Sequence, residues 1–291
     1  MNPGEQRDLH WGLVCKAAIP HVRKEAFRLR DHLEAAGQKV SMEDNLARFD
    51  HADGEEPTTQ GRTVEEMHHD VDLFITVGGD GTILYVQQRS DKPVFAVNAG
   101  AIGFLTEVEP AQATAGIDRV LAGDYKIDER RKLAARLGDR ALPDAANEVT
   151  LQTSRIAKLI QFRIKVDGEL MDTLRGDGVI LSTATGSTGY AMSVGGPLVH
   201  PRLKGVVVAP IAPFRLAARP WVIPDDSTIE VTLLERDSSD LAKPAKVVVD
   251  GQHGFEVATG ETVTINTSDQ AARFVRLGSS FYERVRNKLT R

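Results

Sequence analysis

The sequence predicts an α/β N-terminal domain with an open, mostly parallel sheet, followed by a β-rich sandwich, and three observations carry that expectation. Over residues 11–125 short apolar runs alternate with amphipathic stretches, the order that strand-helix-strand units produce. Over residues 126–266 the apolar runs are short and β-type, punctuated by Asp-Gly, Pro or Gly. A terminal helix, residues 281–288, follows.

Each element has its own signal. A strand over residues 12–16 is followed by a helix near 22–36, which Gly37 stops. A strand at 39–42 and a polar acidic stretch at 50–61 precede a helix at 64–69. The apolar run 73–77, a strand at 94–97 and a helix at 111–121 that ends at Gly123 complete the alternation. In the second region, runs at 160–166, 179–181, 206–208, 229–234, 246–249 and 262–265 read as strands. Open α/β sheets bind ligands at the carboxyl ends of their strands, where the glycine turn after Val77 and Asn98 both fall.

Residues 72–82, DLFITVGGDGT, are the most informative. The apolar strand runs into Gly78, Gly79 and Gly81, which lack a Cβ and so let backbone N–H groups approach phosphate oxygens. Asp80 puts one carboxylate where a hydroxyl proton or a magnesium ion can be held. Any tight strand-to-helix connection has a similar spelling, so position alone favours neither reading. A P-loop is absent, and Gly79, Gly81 and Leu84 do not complete the GxGxxG fingerprint.

The second block, residues 175–201, reads RGDGVILSTATGSTGYAMSVGGPLVHP. Ser182, Thr183, Thr185, Ser187 and Thr188 crowd hydroxyls around Gly186 and Gly189, which suits a polar ligand with many acceptors. A Ser/Thr-rich turn leading to a helix cap is the plainer alternative. The segment lacks an amphipathic stripe and reads as a long functional loop.

Together these blocks resemble the NAD kinase family. GGDGT at residues 78–82 is shared with diacylglycerol and sphingosine kinases and, more loosely, phosphofructokinases. The match narrows with Gly103-Phe104-Leu105-Thr106 after Asn98, with Asn147-Glu148, and with the GDG…TGSTGY…GGPLVHP block. Asp250-Gly251-Gln252 and the terminal FYERVRNKL complete it, in the family's order, from residue 72 to the end. Ala184, Gly189 and the spelling NAGAIG at 98–103 depart from the commoner family pattern without removing a charged or hydrogen-bonding group.

The resemblance implies transfer of the terminal phosphoryl group of ATP, or of polyphosphate, to the 2′-hydroxyl of the adenosine ribose of NAD, giving NADP. Asp80 would take the hydroxyl proton, with Gly79, Gly81 and Thr82 near the phosphates. Phe104 would line the adenine site, against a plain core role, and Asn147 would read the adenine edge with its donor and acceptor. Glu148 would hold a ribose hydroxyl; the alternative is a solvated acid at a strand start. Thr185, Thr188 and Tyr190 match contacts to the adenosine half, Asp177 and Ser193 contacts near the nicotinamide half, and Arg175 and Gly189 complete the expected set. Magnesium or another divalent ion would come with the nucleotide, near Asp80, with no dedicated protein site. The expected domains are residues 1–125, with 267–291 packed back onto them, and an NAD-binding domain at 126–266. Family members share sites between subunits, which implies a homodimer or homotetramer.

Composition fits this picture. The chain has 291 residues, average charged and apolar content, and a net charge of -5, so it carries no general basic footprint for nucleic acid. Its single cysteine, Cys15, rules out an internal disulfide and sits in an apolar run. No apolar run reaches membrane-spanning length and no signal peptide is expected, which makes the cytoplasm the default. His68, His69 and Asp70 lack HExxH spacing and read as a solvated helix end. The run DERRK at 128–132 reads as charged and exposed, although Arg130 or Arg131 could face phosphate. Ser187 does not satisfy GxSxG, and Asn266-Thr267-Ser268 matches a glycosylation triplet by chance. Two rival functions stay open: a lipid-type or other GGDGT kinase, and a non-catalytic NAD(P) sensor.

Overall fold

A computed structural model describes residues 7–50, 60–100, 103–234, 244–278 and 280–290. The chain forms two compact units, Met1–Glu129 with Ala272–Arg291, and Arg130–Ala271. The acidic stretch at 50–61 lies largely outside the described residues.

The first unit opens with β1 (His10–Cys15), α1 (Pro20–Ala35) and β2 (Lys39–Met42). Pro20 starts α1, where a missing N–H costs nothing, and Val22, Ala26, Leu29 and Leu33 bury one face. Gly37, at φ +76°, ends it: its N–H bonds Glu34 O at 2.9 Å while Gln38 N–H bonds Leu33 O at 2.9 Å. Next come α2 (Asp44–Ala47) and α3 (Val64–His68), the latter opened by a capping box between Thr63 and Glu66. Then follow β3 (Leu73–Gly78), α4 (Asp80–Gln87), β4 (Val94–Asn98) and α5 (Ala113–Leu121). Helix α5 was expected from residue 111; instead Pro110–Gln112 form a 3-10 turn closed by Gln112 N–H on Glu109 O at 2.9 Å.

The four strands lie parallel in the order β2-β1-β3-β4. The order reverses between β1 and β3, and a crevice opens at the carboxyl ends of strands at such a point. Every residue of β3 is buried, as a strand covered on both faces requires. Leu13, Ile75, Val77, Phe95 and Val97 pack with the apolar faces of α1 and α5.

The second unit begins within β5 (Lys126–Leu137) and continues through β6 (Arg140–Ala141), β7 (Glu148–Thr153), β8 (Ile160–Val166) and β9 (Glu169–Gly176). After β10 (Gly178–Thr183) come α6 (Tyr190–Ser193), β11 (Gly205–Ile211), β12 (Trp221–Pro224) and β13 (Ile229–Leu234). Strands β14 (Ala245–Val249), β15 (His253–Val257) and β16 (Thr262–Arg276) follow, and α7 (Phe281–Leu289) ends the chain. One antiparallel sheet has the order β12-β11-β10-β7-β14-β15, and in a second β13 pairs with both β8 and the start of β16. Phe162, Ile164, Val231, Leu151, Val179 and Val247 belong to the core between them, so the β-rich region is a sandwich. Asp167 and Gly168, both at positive φ, turn β8 directly into β9, as an Asp-Gly pair does in a tight hairpin.

Three expectations are corrected. The DERRK run is exposed only in part: it lies in β5, where Glu129 and Arg131 are exposed while Arg130 and Lys132 are only 6% and 4% exposed. The strand expected over 262–265 runs on to Arg276, because its polar middle hides the two-residue alternation. The segment after β10 is not simply a loop. It holds a 3-10 turn at Gly186–Thr188 and then α6, and Ala184, Ala191 and Val199 pack with Ile180 and Val207 of β10 and β11. Both faces of those strands are thereby covered, and every residue of them is buried. Among the described residues no helix is long and apolar enough to cross a membrane.

Gly178 marks the tightest approach between strands. A Cβ there would lie 2.1 Å from Leu151 O and 2.8 Å from Gln152 Cα, backbone atoms that no rotamer can move. Gly178→Ala is expected to cost about 3 kcal/mol or more, seen as a lower urea midpoint at unchanged m. A variant with the wild-type midpoint would remove the close-contact argument.

Candidate active site

In the first unit the chain leaves β3 at Gly78 and enters α4 at Asp80, with Gly79 as the N-cap. The Asp80 carboxylate accepts two successive backbone amides, Phe104 N–H on Oδ2 at 2.8 Å and Leu105 N–H on Oδ1 at 3.0 Å. Gly103 permits that approach, since a Cβ would come within 2.8 Å of Asp80 Oδ1. Burial pushes the Asp80 carboxyl above the ordinary range, and the Leu105 and Phe104 amides, then Lys288 and Arg276, pull it back only in part. A base raised in this way accepts a proton more readily near neutral pH.

Around it, Gly79 faces open space, because a Cβ there would meet nothing within 4 Å, and Gly81 is exposed. These residues open α4, where backbone amides and the helix dipole favour an anion. Thr82 closes the turn, its N–H on Gly79 O at 3.1 Å. Phe104 is half-buried, whereas Leu105 and Thr106 are buried. Asn98 ends β4 opposite Gly78, with Nδ2 donating to Glu109 Oε1 at 3.1 Å. Its Oδ1 is buried without a hydrogen-bond partner among the described residues.

The second unit builds its cluster around Asp250. Asp250 and Gly251, both at positive φ, form the β14–β15 turn, which Gln252 N–H closes on Val249 O at 2.9 Å. From there the Asp250 carboxylate takes three consecutive amides, Ala146 at 2.8 Å, Asn147 at 2.8 Å and Glu148 at 2.9 Å. Thr183 N–H bonds Asn147 O at 2.8 Å, so both backbone groups of Asn147 are fixed. Its side-chain Oδ1, however, is buried without a partner among the described residues.

Glu148 is not a solvated acid: it is 9% exposed, and its Oε2 has no partner among the described residues. Burial, then the nearby Asp250 carboxylate, push its carboxyl up to about 8, against a backbone hydrogen bond from Tyr190. Burial likewise raises Asp250, more than its three amides and Lys132 lower it. Gly189 leaves room here, since a Cβ would lie 3.2 Å from Glu148 Oε2 and 3.3 Å from Asn147 Nδ2.

The hydroxyls of the following segment serve the backbone first. Thr183 Oγ1 donates to Ala146 O at 2.8 Å and accepts Gly186 N–H at 3.0 Å, and Ser187 Oγ bridges Ala184 O at 2.7 Å and Val199 N–H at 3.0 Å. Thr188 Oγ1 donates to Thr185 O at 3.2 Å, and Arg130 reaches Thr185 Oγ1 at 3.4 Å. Tyr190 is exposed and its backbone N–H bonds Glu148, which ties α6 to the acid.

Arg175, Asp177 and Ser193 stand outside this network. Arg175 stacks on Phe214 at 5.4 Å, and its Nε is buried without a partner among the described residues. Asp177 is held through its backbone, to Thr153 N–H at 2.7 Å and Ile211 O at 3.0 Å, and Ser193 is exposed. The sequence reading missed the roles of Asp250, Arg276 and Lys288. Asp250 and Lys288 lie in stretches the sequence reading names, Asp-Gly-Gln and FYERVRNKL, but nothing in the local sequence marks what they or Arg276 bond. Among the described residues no group of three or more His, Cys, Asp or Glu is arranged to hold a metal ion.

With the geometry in hand, comparison with known proteins gives the class. The fold is that of dinucleotide kinases: the chain superposes on an NAD kinase from Archaeoglobus fulgidus solved with ATP, at TM-score 0.75 and 29% identity over 97% of this chain and 98% of that one. A yeast NADH kinase solved with NADH gives TM-score 0.87 over 97% and 87% of the two chains, a likeness of fold alone at 23% identity. Family models of the ATP-NAD kinase N-terminal domain and C-terminal domain match residues 12–125 and 146–277. An NAD kinase from Thermococcus gammatolerans is 39% identical over 95% of this chain and 97% of its own length. Another from Methanosarcina acetivorans is 44% identical over 79% and 83%. The chain belongs to the NAD kinase family.

The raised Glu148 carboxyl gives a test of the second cluster. An acid with its folded pKa above the unfolded value stabilises the fold fully below about 4.5, and loses that contribution as pH rises through about 8. Glu148→Gln, a mimic of the protonated acid, is expected to gain stability relative to wild type between pH 5 and pH 8, measured by urea unfolding. A stability difference independent of pH would show that Glu148 is ionised throughout.

Proposed function

We infer that this protein is an NAD kinase that transfers the terminal phosphoryl group of ATP to the 2′-hydroxyl of the adenosine ribose of NAD, with polyphosphate as an alternative donor. The observation that carries the reading is the Asp80 carboxylate, oriented by the Phe104 and Leu105 amides at the carboxyl end of β3 and raised by burial. Such a group takes the hydroxyl proton as the ribose oxygen bonds to the γ-phosphorus and the bond to the β-phosphate oxygen breaks, releasing ADP. The proton ends on Asp80. Gly79 and Gly81, open or exposed, and the start of α4 suit the phosphates, with Thr82 closing the turn.

For NAD, Asn147 Oδ1 and Glu148 Oε2, without partners among the described residues, support roles at the adenine edge and a ribose hydroxyl, because buried polar atoms seek partners. Half-buried Phe104 suits the adenine face. Thr185, Thr188, Gly189 and exposed Tyr190 complete the adenosine side, and Arg175, Asp177 and Ser193 the nicotinamide side. In this reading residues 1–125 with 267–291 carry the phosphate chemistry and 126–266 bind NAD. A divalent ion such as magnesium, carried by the donor, would neutralise the phosphate charge, and each Asp80 oxygen keeps a lone pair for it beyond its amide bond. Exposed Leu170, Trp221 and Val222 support a homodimer or homotetramer, which sedimentation would measure, and the cytoplasm remains the expected compartment.

Purified protein given NAD, magnesium and ATP or polyphosphate is expected to form NADP, followed with an NADP-specific dehydrogenase, and chelation by EDTA should stop it. Asp80→Asn is expected to cut kcat by about a hundred- to ten-thousandfold while folding normally. A loss of only a few fold would refute the assignment of Asp80. NAD binding without NADP from either donor would instead mark a sensor.

A further inference from the structure

The turn that holds Asp80 is itself held by the end of the chain. Leu105 gives its N–H to Asp80 and its carbonyl to Arg276 Nη1, at 2.9 Å. Arg276 also bonds Glu107 Oε2 at 3.0 Å and, through Nε, Asp128 Oδ2 at 3.3 Å; Glu107 Oε1 takes Leu277 N–H at 2.7 Å. From α7, Lys288 Nζ donates to Thr106 Oγ1 at 3.3 Å, and that hydroxyl donates to Gly103 O at 3.2 Å. The segment 103–106 therefore spends its amides on Asp80 and its carbonyl and hydroxyl on two cations from the C-terminal segment.

We propose that Arg276 and Lys288 are positioning residues, which orient the Asp80 carboxylate by clamping the Gly103–Thr106 turn. The proposal rests on the reading of Asp80 as the base. Neither cation bonds Asp80 itself. A two-point clamp matters because Phe104 and Leu105 must present adjacent amides to two oxygens of one carboxylate, and a small rotation of the turn would break one bond or both. Arg276 is buried with Glu107, so its removal would strand a buried acid and disturb folding. Lys288 is half-buried on a surface helix and is the safer site to change. Its anchoring of α7 is the purely structural alternative, which would alter stability and leave the chemical step alone.

The test compares Lys288→Met and Lys288→Arg with wild type by amide hydrogen exchange at Phe104 and Leu105 and by steady-state NADP formation. In Lys288→Met the two amides are expected to exchange faster, and kcat to fall about tenfold while KM for ATP and NAD stays within about twofold. Lys288→Arg, which keeps the donor, should restore both. Unchanged exchange, whatever the rate does, overturns the clamp, as does faster exchange with an unchanged kcat. Faster exchange in a protein that makes no NADP would leave the clamp standing and remove the functional reading instead.

Discussion

Both candidate clusters depend on one interaction, an aspartate carboxylate captured by consecutive backbone amides from a distant part of the chain. Asp80 takes the amides of Phe104 and Leu105; Asp250 takes those of Ala146, Asn147 and Glu148. Backbone donors suit this task because they carry no rotamer freedom once the turn is formed, so the acid and the strand ends are fixed together. Each charged hydrogen bond contributes about 1.5–3 kcal/mol, whereas withdrawing a carboxylate from water costs several. The direction of the shifts says which effect wins: both acids remain above their ordinary range, so burial outweighs the amides. The amides keep the buried acids oriented; they do not make burial free.

The consequences differ between the units. At Asp80 the raised carboxyl lies beside a glycine turn where a Cβ at Gly79 would meet nothing within 4 Å. At Asp250 the capture draws Asn147 and Glu148 inward and leaves Asn147 Oδ1 and Glu148 Oε2 buried without hydrogen-bond partners among the described residues. A buried acceptor without a partner costs about 1–3 kcal/mol, a cost that a ligand donating to it would relieve. In the proposed reading the first cluster serves the reacting group and the second serves recognition.

Much of the fold was legible because local pattern and burial agree. Strands β8 and β13 alternate inside and outside, β3 is apolar throughout, and Gly37 and the Asp167-Gly168 pair stop or turn the chain as their backbone freedom allows. The glycine turn with its acid was legible for the same reason. Residues whose environment is set from far along the chain were not. Glu148 is buried by Asp250, which lies 102 residues away, and Arg130 lies buried beside Thr185, 55 residues away. The hydroxyls of Thr183, Ser187 and Thr188 also brace backbone carbonyls, a use that the sequence did not show.

The discontinuity of the first unit extends this logic. Asp80 and its turn are made early in the chain, but Arg276 and Lys288, the cations behind that turn, come from its end. These contacts span 171 and 182 residues of chain, non-local closures of the kind that carry a loop-entropy cost. The glycine turn can form locally, since it needs only β3, α4 and the loop after β4. In the folded chain β16 lays Phe274 beside Val94 and α7 follows it. A carboxylate raised by burial would be a costly feature of a half-formed domain, and this topology completes its surroundings only when the whole chain is folded.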